Sequence, residues 1–427
     1  MNNKISDLLI NSCIKKGCSF VETYLINYNN IVIGYEHNEK INKNINDKYI
    51  VTNIIYDNKY ASITISCDDE RNLHSLIDNI TNIVIELAVE PINKNFININ
   101  YLTKNNIIDW QYENNSINTN EYIIWLNKYY EEIKKEFKCY VISFLYNYET
   151  EYILYQNSTE VNDMYINRNS KIQGLFDIKT TYGNVPLTLG LNNVSYGSNI
   201  LKSLEYNNFK FKITAIANNE INKLQGKIKF SQYAAYQLIH MLIQSLKGDI
   251  IVSGKSFVND NNINEQLFSD NFNLIEDPMN ENSINKIMFD FEGNRTSKRY
   301  LIRNGKLENV PSARYLHKRL NGYLFGNAYR KYPDYTLKIL NTNLIVDIQN
   351  EMSYDYFIDA KEFNVNSFYD LSNGNIRGIV FGCFKDIQKP TIFFIEDNIR
   401  NIFSNINKVS ENNWINTVYT PEFITKL

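Results

Sequence analysis

The chain has 427 residues, 44% of them hydrophobic, with 32 Tyr and 23 Phe. That length points to two domains, and that much apolar surface excludes general disorder. A formal net charge of −3 leaves no global electrostatic footprint for nucleic acid.

No apolar run approaches the roughly 18 residues of a membrane-spanning helix. The opening MNNKISDLLINSCIKKG carries no apolar signal-peptide core. Five cysteines, Cys13, Cys18, Cys67, Cys139 and Cys383, show no CxxC spacing. Reduced thiols and a cytoplasmic setting are the expectation.

In chain order, Ser6 as N-cap and Gly17 as stop predict a helix over 7–16. Strand-like runs follow at 19–28, 30–37, 48–56 and 60–66, the last two joined by a turn at Asp57-Asn58. The polar run NEKINKNINDK (38–48) reads as a loop. Leu73, Leu76, Ile77, Ile80, Ile83, Val84 and Leu87 recur at helical spacing, and so do Tyr122, Trp125, Leu126, Tyr129, Ile133 and Phe137. Strand-like runs at 139–147, 151–157, 160–167 and 171–180 and a short helix near 197–205 follow. The repeated helix-and-strands order suggests a duplicated α+β unit over 1–206.

From 207 to 427 the pattern is mostly strands (209–216, 226–230, 287–292, 299–303, 306–310, 336–347, 354–365, 376–384, 391–396), interrupted by one strong helix at 231–246. Asn304-Gly305 suits a type I′ hairpin. The fold class expected is therefore α+β: an N-terminal α/β-sheet domain, then a mainly antiparallel β domain with one prominent helix.

GDIIVSGKS (248–256) has the flavour of a phosphate-binding loop, but five residues rather than four separate its glycines. It also follows a helix and is expected to continue extended, so it is not read as one. Among the histidines, His37, His74, His240 and His317, no two are spaced as a helical metal pair. His240 shares a flank with Tyr233, Tyr236, Gln237, Ile243 and Gln244; it is either a satisfied or half-exposed helix histidine or a residue lining a cleft. In MFDFEGN (288–294) strand alternation would set Asp290 and Glu292 on one face, opposite Phe289 and Phe291. Such a pair could serve acid–base work or hold a cation. The plainer reading is hydrogen bonding within a turn, or pairing with Arg295 or Arg299. Cys383 reads as a buried inert thiol.

Taken together, the helix, GDIIVSGKSFV, EDP (276–278), FDFEG (289–293), LIRNGKL (301–307) and GNAYR (326–330) stand in the order and spacing of the TldD/PmbA family. The chain resembles that family, whose members are described as modulators of DNA gyrase and as peptidases. More loosely, LINSCIKKGCSFVETYL, EYILYQNSTEV and the tail NKVSENNWINTVYTPEFITKL resemble its other segments.

In the family's TldD-like branch, His-Glu-x-x-x-His on this helix and a late Cys hold a metal. Here Gln244 and Ser245 fall where the second His is expected, no Glu adjoins His240, and no Cys follows Cys383. The resemblance therefore implies the PmbA branch, also called TldE: a subunit without metal, paired with a TldD-like chain that carries zinc or a similar ion. Its partner would be that chain or a second copy of itself, and its substrate an unfolded or precursor peptide. The glycine-rich segment of the branch is reduced here to YDLSNGNIRGIVFGC (369–383).

Motif positions carried over are His240, Asp290, Glu292, Gly293, Gly305, Gly326, Asn327 and Arg330. Most are expected to shape turns, with Arg330 and the two carboxylates pairing internally. Rival readings are a homodimeric peptide-binding protein and a hydrolase using Asp290, Glu292 and His240. Nothing in the residues themselves points to gyrase.

Overall fold

In the computed structural model, the described residues are 3–66, 73–88, 90–91, 118–137, 139–159, 162–180, 183–192, 194–218, 220–262, 264–283, 286–316, 320, 326–330, 337–350, 355–364 and 367–427. Cys67 and His317 lie outside them. The fold is α+β and divides into two units, Met1–Tyr206 with Arg330–Thr336, and Asn207–Tyr329 with Leu337–Leu427.

The N-terminal unit begins with α1 (Asn3–Lys15), β1 (Phe20–Glu36), β2 (Glu39–Tyr56), β3 (Lys59–Ser66), α2 (Leu73–Glu86) and β4 (Glu90–Pro91). It continues with α3 (Thr119–Phe137), β5 (Tyr140–Asn157), β6 (Asn162–Thr180) and β7 (Gly183–Asn192). The sheet order is β4-β3-β2-β1-β5-β6-β7. A helix followed by a three-stranded meander thus occurs twice, and the two first strands, β1 and β5, meet antiparallel at the centre.

Tight turns close the first meander: His37-Asn38 and Asp57-Asn58 all take positive φ, as type I′ turns require. On one side α1 and α2 bury Ile5, Leu9, Ile77 and Ile80 against Leu25 and Ile50. Next to them Cys13, Cys18, Val21, Ile54, Ala61 and Val84 form a second apolar cluster.

Several expectations need correction here. The runs 19–28 and 30–37 are one strand, as are 139–147 with 151–157 and 160–167 with 171–180. Polar residues such as Asn29 and Asn30 interrupt the apolar pattern but not the ladder, because β1 has a strand on either side to take its backbone groups. The polar run at 38–48 also lies mostly in β2 rather than in a loop, because its backbone groups pair along β1 from Glu36 to Asn27. Helix α1 starts at Asn3, so Ser6 is a buried helix residue and not its cap.

Beyond the first unit come α4 (Leu204–Asn218), β8 (Ile221–Lys223), β9 (Lys227–Phe230), α5 (Gln232–Ser245), α6 (Gly248–Val252), β10 (Phe272–Glu276), β11 (Arg299–Arg303), β12 (Lys306–Leu307), β13 (Ala328–Arg330), β14 (Leu337–Ile339), β15 (Leu344–Ile348) and β16 (Ile358–Phe363). The chain ends with β17 (Phe368–Tyr369), β18 (Asn375–Phe384), β19 (Thr391–Asn398), α7 (Ile399–Ile402), β20 (Asn407–Lys408), β21 (Asn413–Ile415), β22 (Val418–Thr420) and β23 (Phe423–Lys426).

One sheet runs β12-β11-β10-β15-β22-β21 and another β20-β23-β9-β16-β18-β19-β8, with β17 beside β18 and β13 paired to β14. Most pairs are antiparallel; β15–β22, β9–β16 and β8–β19 are parallel. Helix α5 contributes Ala234, Leu238, Ile239 and Leu242 to a core shared with Leu274, Leu301, Val346, Ala360, Val380 and Phe423. Ser231 caps it, its hydroxyl accepting from the N–H of Ala234.

The predicted strand 209–216 is helical. Its side chains alternate in polarity, but Tyr206, Phe209, Lys212 and Ala215 are the buried ones, a spacing of three that only a helix turns to one side. Lys212 is tolerated inside because its ammonium meets Glu362 at 2.7 Å. Residues 287–292 form no strand, and GDIIV is helical rather than extended. The short helix placed near 197–205 is a 3-10 turn, Ile200–Lys202, ahead of α4.

Candidate functional site

The motif segments of the C-terminal unit converge on a buried polar network. Phe289 to Asn294 is a loop folded back on itself: Asp290 N–H donates to the Asn294 carbonyl at 2.9 Å and Gly293 N–H to the Asp290 carbonyl at 3.1 Å. Gly293 takes φ +70°, a conformation costly for any residue with a Cβ. Strand alternation therefore does not apply, and Phe289, Asp290, Phe291 and Glu292 are all buried. A loop enclosed on both sides by protein has no solvent face.

Asp290 Oδ1 accepts from the backbone N–H groups of Glu292 and Asn294, both at 2.9 Å, and Oδ2 accepts from Ala328 N–H at 3.1 Å. The Asn294 amide donates to both oxygens at 3.0 Å. Burial pushes the Asp290 carboxyl upward, against the pull of these donors and of Arg314. Glu292 Oε2 accepts from the Arg314 N–H, while the Arg314 guanidinium donates to the Glu292 carbonyl and to Asn294 Oδ1. The arginine serving this loop is thus Arg314, whereas Arg299, one of the anticipated partners, serves Glu276.

Glu276, at the end of β10, has five donors on one carboxylate. Arg299 Nε and Nη2 reach Oε2 at 3.0 and 2.6 Å. Asn327 Nδ2, Thr342 N–H and Thr342 Oγ1 reach Oε1 at 2.7, 2.7 and 3.1 Å. Asn327 Oδ1 in turn accepts from Arg299 and from Ser312 N–H. The EDP, FDFEGN and GNA segments are therefore tied together by side chains, of which Glu276, Asn294 and Arg314 were not singled out from the sequence. The available signal was a charged residue ending a wholly buried strand, FNLIE.

Gly305, with Asn304, forms the β11–β12 turn; both have positive φ. A Cβ on Gly305 would lie 2.4 Å from the carbonyls of Phe268 and Ser269. Gly326 takes φ +116° beside Thr296.

Arg330 groups with the N-terminal unit. Its guanidinium donates to Thr64 Oγ1 at 3.2 Å and to Ser62 Oγ. Ser62 donates to Asn53, which donates to Glu22 at 2.8 Å, and Tyr155 also donates to Glu22, at 3.1 Å. Arg330 therefore joins a second buried network, centred on Glu22 in β1.

His240 stands apart from these networks. Along α5 and on to Lys247, the residues Tyr233, Tyr236, Gln237, His240, Gln244 and Lys247 are half-buried, while the opposite side is fully buried. Ile243, expected on the His240 flank, is in the core. Gln237 pins the helix to β16, donating to the Phe363 carbonyl and accepting from its N–H. The Tyr236 ring meets the imidazole edge-on, with centroids 4.5 Å apart. His240 Nε2 is buried without a hydrogen-bond partner. Burial first, then the charge of Lys247, lowers the imidazole to about 4, so it is neutral near pH 7. The side chain is thus the half-exposed histidine of the sequence reading, with Nε2 itself not satisfied.

Among the described residues no three His, Cys, Asp or Glu side chains converge as a metal-ligand set requires. The described residues therefore do not fit a zinc centre. Cys383 is buried in β18, its thiol pushed up by burial.

Residues 225–426 match the family model described as the PmbA/TldA metallopeptidase C-terminal domain. That stretch is similar to the C-terminal domain of the PmbA/TldD family. Over 99% of its length, and 98% of the other chain, it superposes on TldE from Thermococcus kodakarensis with TM-score 0.75 at 14% identity. A putative modulator of DNA gyrase from Bacteroides thetaiotaomicron matches with TM-score 0.78 at 15% identity, covering 100% of this chain and 97% of that one. A second such protein, from Thermotoga maritima, matches at 0.73 and 12%, covering 99% and 98%. No curated protein sequence matches significantly.

Proposed function

We propose that this chain is a PmbA/TldE-like subunit without a metal centre of its own. It would bind unfolded or precursor peptides and support their proteolysis by a TldD-like metallopeptidase partner. The observation carrying the reading is helix α5: in the part of the fold matched to a metallopeptidase domain, it carries one neutral histidine and no acidic residue. An imidazole with a free nitrogen beside Tyr236 suits holding a peptide better than activating water. Asp290 and Glu292, the carboxylates of the hydrolase reading, are fully buried and occupied by Asn294, backbone N–H groups and Arg314.

The test is metal content of the purified chain, alone and co-expressed with a TldD-like protein, together with cleavage of an unstructured peptide. A metal-free, inactive chain that forms an active complex with a metal-bearing partner supports the reading. Stoichiometric zinc and cleavage by the chain alone would overturn it.

A further inference from the structure

We propose that Cys13 and Cys18 form a reversible disulfide that staples the C-terminal end of α1 to the start of β1. The helix ends in a Schellman motif: Gly17 N–H donates to the Ile14 carbonyl at 3.0 Å and Cys18 N–H to the Cys13 carbonyl at 3.1 Å. Gly17 supplies the left-handed residue, at φ +96°. This motif sets the side chain three residues inside the helix end against the one just beyond the turn, where an apolar contact is usual. Here both positions are cysteine, and both are free thiols.

The Cys18 thiol hydrogen-bonds to the Cys13 sulfur, and Cys13 also reaches Thr81 Oγ1 at 3.9 Å. The pair is thus pre-positioned, with one sulfur as donor and the other as acceptor. That hydrogen bond, helped by Lys16, holds Cys13 below the ordinary thiol value, while Cys18 is raised. Cys13 is accordingly the nucleophile. The other two described cysteines, Cys139 and Cys383, are both raised by burial and form built-in controls.

The oxidant class is a hydroperoxide, the smallest two-electron oxidant of thiols, as a pair only 0% and 4% exposed requires. The Cys13 thiolate attacks the peroxide oxygen; a sulfur–oxygen bond forms, the oxygen–oxygen bond breaks, and the alkoxide leaves as alcohol after taking a proton. Cys18 sulfur then attacks the sulfenic sulfur; the sulfur–sulfur bond forms, and the hydroxide leaves as water with the Cys18 proton. Two thiols lose two electrons and the hydroperoxide gains them.

The full-length chain is treated with hydrogen peroxide, quenched, unfolded and alkylated, and its peptides are weighed. The expected product is a Cys13–Cys18 peptide lighter by two hydrogens, reverting with dithiothreitol. It should form at least about tenfold faster than Cys139 or Cys383 are oxidised. Cys18→Ser should convert this product into a sulfenic acid at Cys13 that dimedone traps. Recovery of both thiols in alkylated form, while Cys139 or Cys383 is already oxidised, would overturn the proposal. So would direct passage of Cys13 to sulfinic acid in the unaltered chain.

Discussion

Arg299→Met tests whether the motif residues hold the fold or face a substrate. Arg299 is 7% exposed and Glu276 is fully buried, and two guanidinium hydrogen bonds at 3.0 and 2.6 Å join them. Methionine keeps the apolar stem but leaves the carboxylate with three neutral donors. Removing one partner of a buried pair costs about 3–5 kcal/mol, because the remaining charge stays out of water. For a domain of this size that corresponds to a fall of roughly 10 °C in Tm. Adding Glu276→Gln keeps the shape and removes the stranded charge, so the double variant should recover part of the loss. Calorimetry of the single and double variants reads both effects. A single variant melting within about 2 °C of the parent would refute the reasoning. So would a double variant that loses the sum of two independent penalties, or lost peptide binding at unchanged Tm.

Gly305→Ala should destabilise the fold by about 2 kcal/mol or more, read as a lower urea midpoint at unchanged slope, since the turn needs φ +73° and leaves no room for a Cβ; an unchanged midpoint would contradict this. Lys212→Met and Glu362→Leu should each destabilise by about 3 kcal/mol. The double variant should lose less than either, and simple additivity in denaturant melts would sink the claim. His240 is lowered in the folded chain, so the unfolded chain binds its proton first as pH falls. The stability tied to a neutral His240 is full above its ordinary value of 6.5 and is lost progressively towards about 4. NMR titration of the imidazole checks the value, and His240→Leu should flatten that part of the pH–stability curve.

Local structure was legible wherever one sequence pattern sufficed. Helices α2, α3 and α5 follow from apolar residues at helical spacing, and the Asp57-Asn58 and Asn304-Gly305 turns from residues that tolerate positive φ. The twofold order of helix and strands in 1–206 was also readable, although β7 was missed. The family resemblance came from six weak motifs in order, among them the turns at Gly293 and Gly305, whose positive φ restricts the residue type.

Only the tertiary structure decided the rest, because it turned on neighbours distant in sequence. Residues 209–216 alternate like a strand, yet their surroundings bury every third residue. Strand alternation set Asp290 and Glu292 on one face, whereas a folded-back loop and Arg314 enclose both; the plainer reading, hydrogen bonding within a turn, holds for Asp290. Arg330 stands two residues after Ala328, which serves Asp290, but its own partners are Ser62 and Thr64. His240 is set apart by a nitrogen without a partner, and partners are a property of the packed chain. Residue types and their spacing restrict backbone conformation locally, whereas burial and pairing depend on which surfaces the completed fold brings together.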